Sequence, residues 1–346
     1  MVQHKPRKYK SLSKPRFDLS TAEKTGAYVV GVDIGGSNLR IALADRKGSS
    51  LGKWATSTKE TASPQVVISL IHKGMHQLLR QTAVQRSSLR AIAVGAPGVT
   101  DRDTGVVFAT SYLRGWKNVP LAAMLQAELQ LPAVVENDVK LAAIGEHWAG
   151  AAQGIPNFVF LAIGTGIAAG IFVNGHLVDG RDWIAGEVGY LIVPGTRETP
   201  SKAGEPGPLE SAIGGEGVRQ QWLASCPSDG GATAQDLTAT GIFYHALAGN
   251  PKAMKILDRS ARILAYAVHN ISAVLNPSLF VLGGGVGMNG PLIAATERIL
   301  ECYTQPSRPQ IVASALGQDA QLMGAIRLAL DKAESRKHLQ PAHYRS

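Results

Sequence analysis

From residue 27 onward the apolar and polar positions fall into blocks whose period changes along the chain. Tyr28–Ile34 is a run of β-forming residues, Asp33-Ile34-Gly35-Gly36-Ser37-Asn38 is a turn, and Leu39–Ala44 predicts a second strand. Asp45-Arg46-Lys47-Gly48 predicts another turn and Leu51–Thr56 a third strand, so the chain opens as a meander. Pro64–Leu79 then carries apolar residues at helical spacing: Val67, Leu70, Ile71, Met75 and Leu78. Leu89–Val94 reads as a buried strand ending in Gly95-Ala96-Pro97-Gly98, Leu121–Leu129 as a short helix, and Ala133–Glu136 as a strand. A helical pattern with many small residues follows Asp138, which gives the order β-β-β-α-β-α-β-α.

The pattern then begins again. Phe158–Ile163 predicts a strand, Gly164-Thr165-Gly166 a turn, Ala168–Val173 a strand, and Asn174-Gly175 a hairpin. Residues 195–208 are rich in Gly and Pro and read as a loop. The longest helical pattern is Pro251–Leu275, with proline in its first turn and Asn276-Pro277 as its stop. Leu279–Leu282 is a buried strand ending in Gly283-Gly284-Gly285; Gln310–Ala313 is a last strand and Asp319–Leu330 a last helix. The chain is therefore expected to be an α/β protein of two related halves, each opening with strand, glycine turn, strand.

Composition narrows this picture. At 346 residues the chain is long enough for about two domains at roughly 100–200 residues each. The net charge of +9 suggests nucleic acid until it is located. Residues 1–24 hold a net +5 and residues 332–346 a net +3, so the body between them is close to neutral. Residues 1–26 are polar, basic and proline-broken; they are expected to be disordered and are too short for a helix-turn-helix domain. Two cysteines, Cys226 and Cys302, without C-x-x-C spacing fit a reducing cytoplasm. No apolar run reaches the roughly 20 residues of a membrane span, and no apolar signal core opens the chain.

Candidate chemistry sits where strands hand over to turns or helices. In Val134-Val135-Glu136-Asn137-Asp138 a carboxylate falls at such a junction, where ligands of α/β sheets bind. Asp138 is read as a candidate general base at that cleft; the bland alternative is that Asn137 or Asp138 only caps the helix. Its place at a helix N-terminus is expected to favour the ionised form. Gly35, Gly36, Ser37 and Asn38 form a turn whose backbone N–H groups suit a phosphate, and Asp33 beside it suits Mg²⁺, directly or through water. Gly164, Thr165 and Gly166 repeat that device in the second half. No P-loop is present, and no G-x-G-x-x-G opens a helix after the first strand.

Asp33–Arg40, Gly95–Val99, Glu136–Glu146, Gly164–Gly170, Ala185-Gly186-Glu187-Val188-Gly189 and Asn276–Gly285 occur in the order and spacing of the ROK family (repressors, open reading frames and sugar kinases). The chain resembles that family over about residues 27–330. The resemblance implies a two-domain actin-like ATPase fold, ribonuclease H-like in each domain, with the active site in a cleft between them. Its expected division is a tail 1–26, an N-terminal domain 27–135, a C-terminal domain 136–317, a helix 318–333 packing back on the N-terminal domain, and a loose tail 334–346. It also implies ATP-dependent, Mg²⁺-dependent phosphorylation of a hexose, most simply glucose to glucose 6-phosphate, by a cytoplasmic homodimer. Matched by position, Asp138 is the catalytic base, and Gly98, Asn137, Asp138, Glu187, Tyr190 and Glu210 face the sugar. Gly35, Gly36, Ser37, Asn38, Gly164, Thr165 and Gly166 hold phosphates, and Gly283 and Gly284 flank the adenosine.

The chain departs from the family in one region. Typical members carry a histidine after the G-E-x-G stretch and a cysteine-rich segment that together bind zinc. Here Tyr190 takes the histidine position, and no cysteine lies between Val193 and Glu210. No zinc is expected, because the N/S ligands of a tetrahedral site are missing. The competing readings are a kinase for an N-acetylated amino sugar, fructose or a β-glucoside; a non-catalytic sugar sensor of the same fold; and a repressor, which needs an N-terminal DNA-binding domain that residues 1–26 are not expected to form.

Overall fold

β1 (Tyr28–Ile34) and β2 (Asn38–Ala44) form because nearly every position in them is buried, which demands continuous apolar runs rather than alternation. β3 (Ser50–Ser57) alternates exposed and half-buried residues, as an edge strand should. The computed structural model describes residues 27–58, 63–109, 113, 115–202, 204–225, 238–303 and 308–335. The basic N-terminal tail, the last eleven residues and Cys226 lie outside the described residues.

Helix α1 (Pro64–Thr82) starts where the Ser63 hydroxyl accepts from the Val66 N–H, and proline occupies its first turn. Val67, Ile71, Met75 and Leu78 form the face it buries. β4 (Leu89–Ala96) follows, then β5 (Val99–Asp101), β6 (Val106–Ala109) and β7 (Lys117–Val119), a small antiparallel sheet that the hydrophobic pattern does not announce. Strands of three or four residues are too short for alternation to register. α2 (Leu121–Leu129) and β8 (Ala133–Asn137) complete the first half, and α3 (Asp138–Ala149) leaves it. The first sheet has the order β3-β2-β1-β4-β8, with β4 and β8 parallel to β1.

The second sheet reproduces that arrangement. β9 (Phe158–Ile163), β10 (Ile167–Val173) and β11 (His176–Leu177) form the meander, and β12 (Leu279–Gly283) and β13 (Gln310–Ala313) run parallel to β9, in the order β11-β10-β9-β12-β13. Asn174 and Gly175 turn between β10 and β11 with φ of 53° and 80°, the paired positive values a two-residue hairpin needs. Between β11 and β12 lie α4 (Pro208–Ile213), α5 (Gly215–Ser225), α6 (Ala239–Leu247) and α7 (Pro251–Leu275). α7 keeps the bounds its sequence announces, capped by Asn250 and ended by Asn276 in the left-handed conformation. α8 (Gly284–Gly287), α9 (Gly290–Leu300) and α10 (Ala320–Ser335) close the order.

Each sheet has its own large core, and α3 and α10 stand between them. Leu141 of α3 joins Leu322, Ala325 and Ile326 of α10 against Val29, Ala42 and Ala93 of the first sheet. On its other side α3 sets Ala142 and Ala143 against Phe158, Phe160 and Phe172 of the second sheet. The two helices touch through glycine. A Cβ on Gly324 would lie 1.8 Å from the Leu141 carbonyl oxygen, and one on Gly145 would lie 2.3 Å from that of Ala320. α3, which begins with Asp138, is thereby gripped along its length by both halves. Among the described residues no helix is long and apolar enough to cross a membrane.

Candidate active site

The β8–α3 junction is built as its sequence suggests. Asn137 caps α3: its Oδ1 accepts from the Val139 and Lys140 N–H groups at 2.9 and 3.0 Å, and its Nδ2 donates to the Gly98 carbonyl at 3.0 Å. Gly98 presents that carbonyl from a φ of 100°, a conformation suited to glycine. The cap reading is therefore correct for Asn137. One amide N–H beyond its Gly98 bond is left for another acceptor. Asp138 is the first residue of α3, and its Oδ1 accepts from the Val139 N–H at 2.9 Å.

Burial pushes the Asp138 carboxyl up to about 7, and the charges of Asp33 and Glu187 push the same way. The helix N-terminus favours the anion as expected, but it does not set the balance. The backbone N–H groups do favour the anion, but removal of water around the carboxylate outweighs them. Asp33, at the end of β1, is also raised by burial although the Arg40 guanidinium grips its Oδ2 at 2.6 and 3.0 Å. Glu187 is raised by burial and by Glu210, while Lys140 opposes them. Glu210 accepts from the Ile167 N–H at 2.8 Å, and its charge with that of Glu187 raises the Tyr190 hydroxyl further. Asp33, Asp138, Glu187, Glu210 and Tyr190 thus form one electrostatic neighbourhood, drawn from β1, α3 and the segments flanking β10 and α4.

The glycine turns are held from behind. Gly35 N–H donates to the Asn38 carbonyl at 2.8 Å, while Thr58, at the end of β3, bonds the Gly35 and Ser37 carbonyls at 3.0 and 2.9 Å. Gly36, Ser37 and Asn38 stay exposed, and Gly35 is half-buried. In the second half Gly164 N–H donates to the Gly166 carbonyl at 3.0 Å, and Gly215 N–H to the Gly164 carbonyl at 2.8 Å. Gly284 fits against the same strand end: a Cβ there would lie 2.4 Å from the Ile163 carbonyl oxygen. The fold therefore brings Gly164–Gly166 and Gly283–Gly284 together. Among the described residues no hydrogen bond joins this group to the Gly35–Asn38 turn.

The segment ahead of α4 is tied by a polar clasp. Arg197 Nη2 donates to the Ser201 hydroxyl and the Pro206 carbonyl at 2.5 and 2.7 Å, and Arg259 of α7 donates to the Gly195 carbonyl at 2.9 Å. Among the described residues no group of three or more His, Cys, Asp or Glu is arranged to hold a metal ion. Elemental analysis of the purified protein is expected to find no stoichiometric zinc; about one zinc per chain would overturn this.

Sequence reasoning passed over three residues. Glu136 is fully buried, accepts from the Asn137 N–H at 2.7 Å, and is pushed up to about 7 by burial against the opposing charges of Lys140 and Arg102. Its Oε2 lies 3.6 Å from Arg102 Nε and has no hydrogen-bond donor. Lys140 and Arg40 were visible only as charges in a motif; Lys140 pairs with Asp179, and Arg40 reaches beyond Asp33 to the distant Gln318 carbonyl.

The sequence profile of the ROK family matches residues 29–332. The chain belongs to the ROK family. Among its ROK relatives is a glucokinase of Halalkalibacterium halodurans, 31% identical over 309 residues, covering 86% of this chain and 93% of that enzyme. An N-acetyl-D-glucosamine kinase of Yersinia pseudotuberculosis is 28% identical, over 74% of this chain and 83% of its own. The crystal structure of a ROK glucokinase from Streptomyces griseus in complex with glucose and AMPPNP superposes with a TM-score of 0.73 at 26% identity, covering 88% of this chain and all of that one. This ROK protein accordingly has the family's actin-like α/β kinase fold.

Proposed function

We propose that this ROK protein transfers the γ-phosphoryl group of ATP to a hydroxyl of a glucose-type hexose, with Asp138 as the base. Its class, ATP-dependent sugar phosphotransferase, follows from family membership and the shared fold. The observation that carries the finer reading is the Asp138 carboxyl: it sits at the α3 N-terminus beside Asp33 and Glu187 and titrates near neutrality. A base poised there accepts a proton at cellular pH without being so strong a base that it stays protonated.

In the proposed step the sugar hydroxyl oxygen bonds to the γ-phosphorus, the bond to the ADP oxygen breaks, and the hydroxyl proton passes to Asp138. Transfer through a loose transition state asks the protein for position and charge stabilisation more than for covalent chemistry. Glu187, Glu210 and the remaining N–H of Asn137 orient sugar hydroxyls by directional hydrogen bonds, with Gly98 and Tyr190 beside them. Gly35–Asn38 and Gly164–Gly166 offer backbone N–H groups to phosphates, and Gly283–Gly284 border the nucleoside. Asp33 and Asp138, oxygen donors close enough for the charge of one to raise the other, fit a hard divalent cation. Asp33 would hold Mg²⁺, which when bound neutralises phosphate charge. Closure of the two halves over the substrates would exclude water and limit ATP hydrolysis.

ADP release with Mg²⁺ and ATP across glucose, N-acetylglucosamine, N-acetylmannosamine, fructose and β-glucosides tests the reading. Sugar-dependent release, strongest with glucose, is expected. Strongest release with an N-acetylated sugar would favour the second reading, which the 28% identity to an N-acetyl-D-glucosamine kinase keeps open. Silence across the panel with nucleotide binding intact would point to a sugar sensor.

A further inference from the structure

Lys140 lies two residues beyond Asp138 on the first turn of α3, and only 4% of its side chain is exposed. A buried ammonium must be paired, and this one reaches out of its own helix. Its Nζ donates to Asp179 Oδ1 at 2.9 Å and to the Trp183 carbonyl at 3.2 Å. Both partners belong to the segment that follows β11 and leads into Glu187. The segment folds back on itself through the Ala185 N–H, which donates to the Asp179 carbonyl at 3.2 Å.

Trp183 is the unusual residue of this segment. Its φ is 59°, in the left-handed region that a bulky side chain adopts only when its surroundings force it there. Its indole lies 5.9 Å from the Phe108 ring of β6. Three residues on, Gly186 locks the chain to β10: Ala169 N–H donates to its carbonyl at 2.7 Å, and a Cβ there would lie 1.9 Å from the Ala169 carbonyl oxygen. The segment is therefore pinned at both ends, at one by glycine packing and at the other by one lysine that holds the carbonyl of a strained residue. The Lys140 charge also opposes the upward push on Glu187 and Glu136.

We propose that Lys140 is a positioning residue for the sugar: through Asp179 and the Trp183 carbonyl it fixes the 179–187 segment, and with it the placement of Glu187 and the Trp183 indole against the hexose. A flat indole carried on the same segment as Glu187 offers an apolar face to one side of a sugar ring while Glu187 takes its hydroxyls. This rests on the sugar-kinase reading of the site.

The test compares Lys140→Met, which keeps the stem and removes the donors, with Asp179→Asn, Trp183→Gly and the Lys140→Met/Trp183→Gly double variant. Sugar KM is expected to rise at least about tenfold in Lys140→Met, and in the same direction but less in Asp179→Asn, with ATP KM within about twofold of wild type. Amide hydrogen exchange of residues 179–187 should accelerate while that of α7 is unchanged. Because glycine takes a positive φ without strain, the added penalty of Lys140→Met should be smaller in the Trp183→Gly background. Unchanged sugar KM and unchanged exchange in Lys140→Met and Asp179→Asn would overturn the proposal. So would a parallel rise of both KM values with faster exchange throughout, which marks a merely structural lysine. Calorimetric titration with glucose reads affinity without turnover. A wild-type protein that binds glucose but lacks turnover sinks the kinase reading alone; one that binds no sugar of the panel sinks both.

Discussion

Asp138→Asn is expected to lower sugar-dependent ADP release by roughly 10³-fold, within the range by which a positioned base accelerates proton transfer, while sugar affinity changes little. The asparagine keeps the size of the side chain and its acceptor for the Val139 N–H, so α3 starts as before. It loses the ability to take a proton, and with it the carboxylate charge. The pH dependence gives a second, independent reading. The Asp138 carboxyl of the free protein titrates at about 7. Below that value it is protonated and accepts nothing, so kcat/KM should rise with pH through about 7 and level off above it. Near-wild-type turnover in Asp138→Asn would remove Asp138 from the mechanism. The same shift carries a stability cost. Asp138 and Glu136 hold protons up to about 7 in the folded chain against 3.8 and 4.5 as model values, so the folded state binds more protons between those limits. Stability contributed by their protonated forms is therefore present at acid pH and lost as pH rises toward about 7.

Glu146→Ala is expected to cost about 3 kcal/mol or more in stability, read as a drop in the denaturant midpoint at constant m-value. Glu146 is fully buried at the far end of α3 from Asp138. Its Oε1 accepts from the Ser314 hydroxyl at 2.5 Å and the Leu316 N–H at 3.0 Å, and its Oε2 from the Ala151 N–H at 2.7 Å. One carboxylate thus ties α3 to the chain that leaves β13 and enters α10. Alanine strands three donors in a site closed to water, each costing about 1–3 kcal/mol in part recovered by relaxation. Glu146→Gln should lose less, since one oxygen remains, although its NH₂ would meet an N–H donor. A loss below about 1 kcal/mol for alanine would show that the clasp is not a principal tie. Because α3 carries Asp138, turnover in Glu146→Ala should fall with little change in ATP affinity.

Much of this arrangement was legible along the chain because it rests on local rules. The bounds of α7 follow from Asn250 and Pro251 at one end and Asn276 at the other, residues whose own backbone preferences start and stop a helix. The Asn174-Gly175 hairpin follows from two residues that tolerate positive φ. The doubled strand–turn–strand pattern became two sheets of the same order for the same reason: long apolar runs bury themselves wherever they fall. β5, β6 and β7 escaped because three or four residues carry no period, and their pairing is fixed by neighbours rather than by propensity.

The site divides along the same line. The residue types at β8–α3, at the glycine turns and in the A-G-E-V-G stretch are properties of the sequence, and with them comes the family. Their protonation is not. Whether Asp138 is held ionised by a helix end or pushed toward neutrality by burial depends on how much water the surrounding fold displaces. Lys140 was one charge on a helical pattern until folding set it against Asp179 and Trp183, about forty residues on. Secondary structure and motif are decided by neighbours in the chain, which the sequence contains. Desolvation, charge coupling and the strain held at Trp183 are decided by neighbours in space, and only the packed structure chooses those.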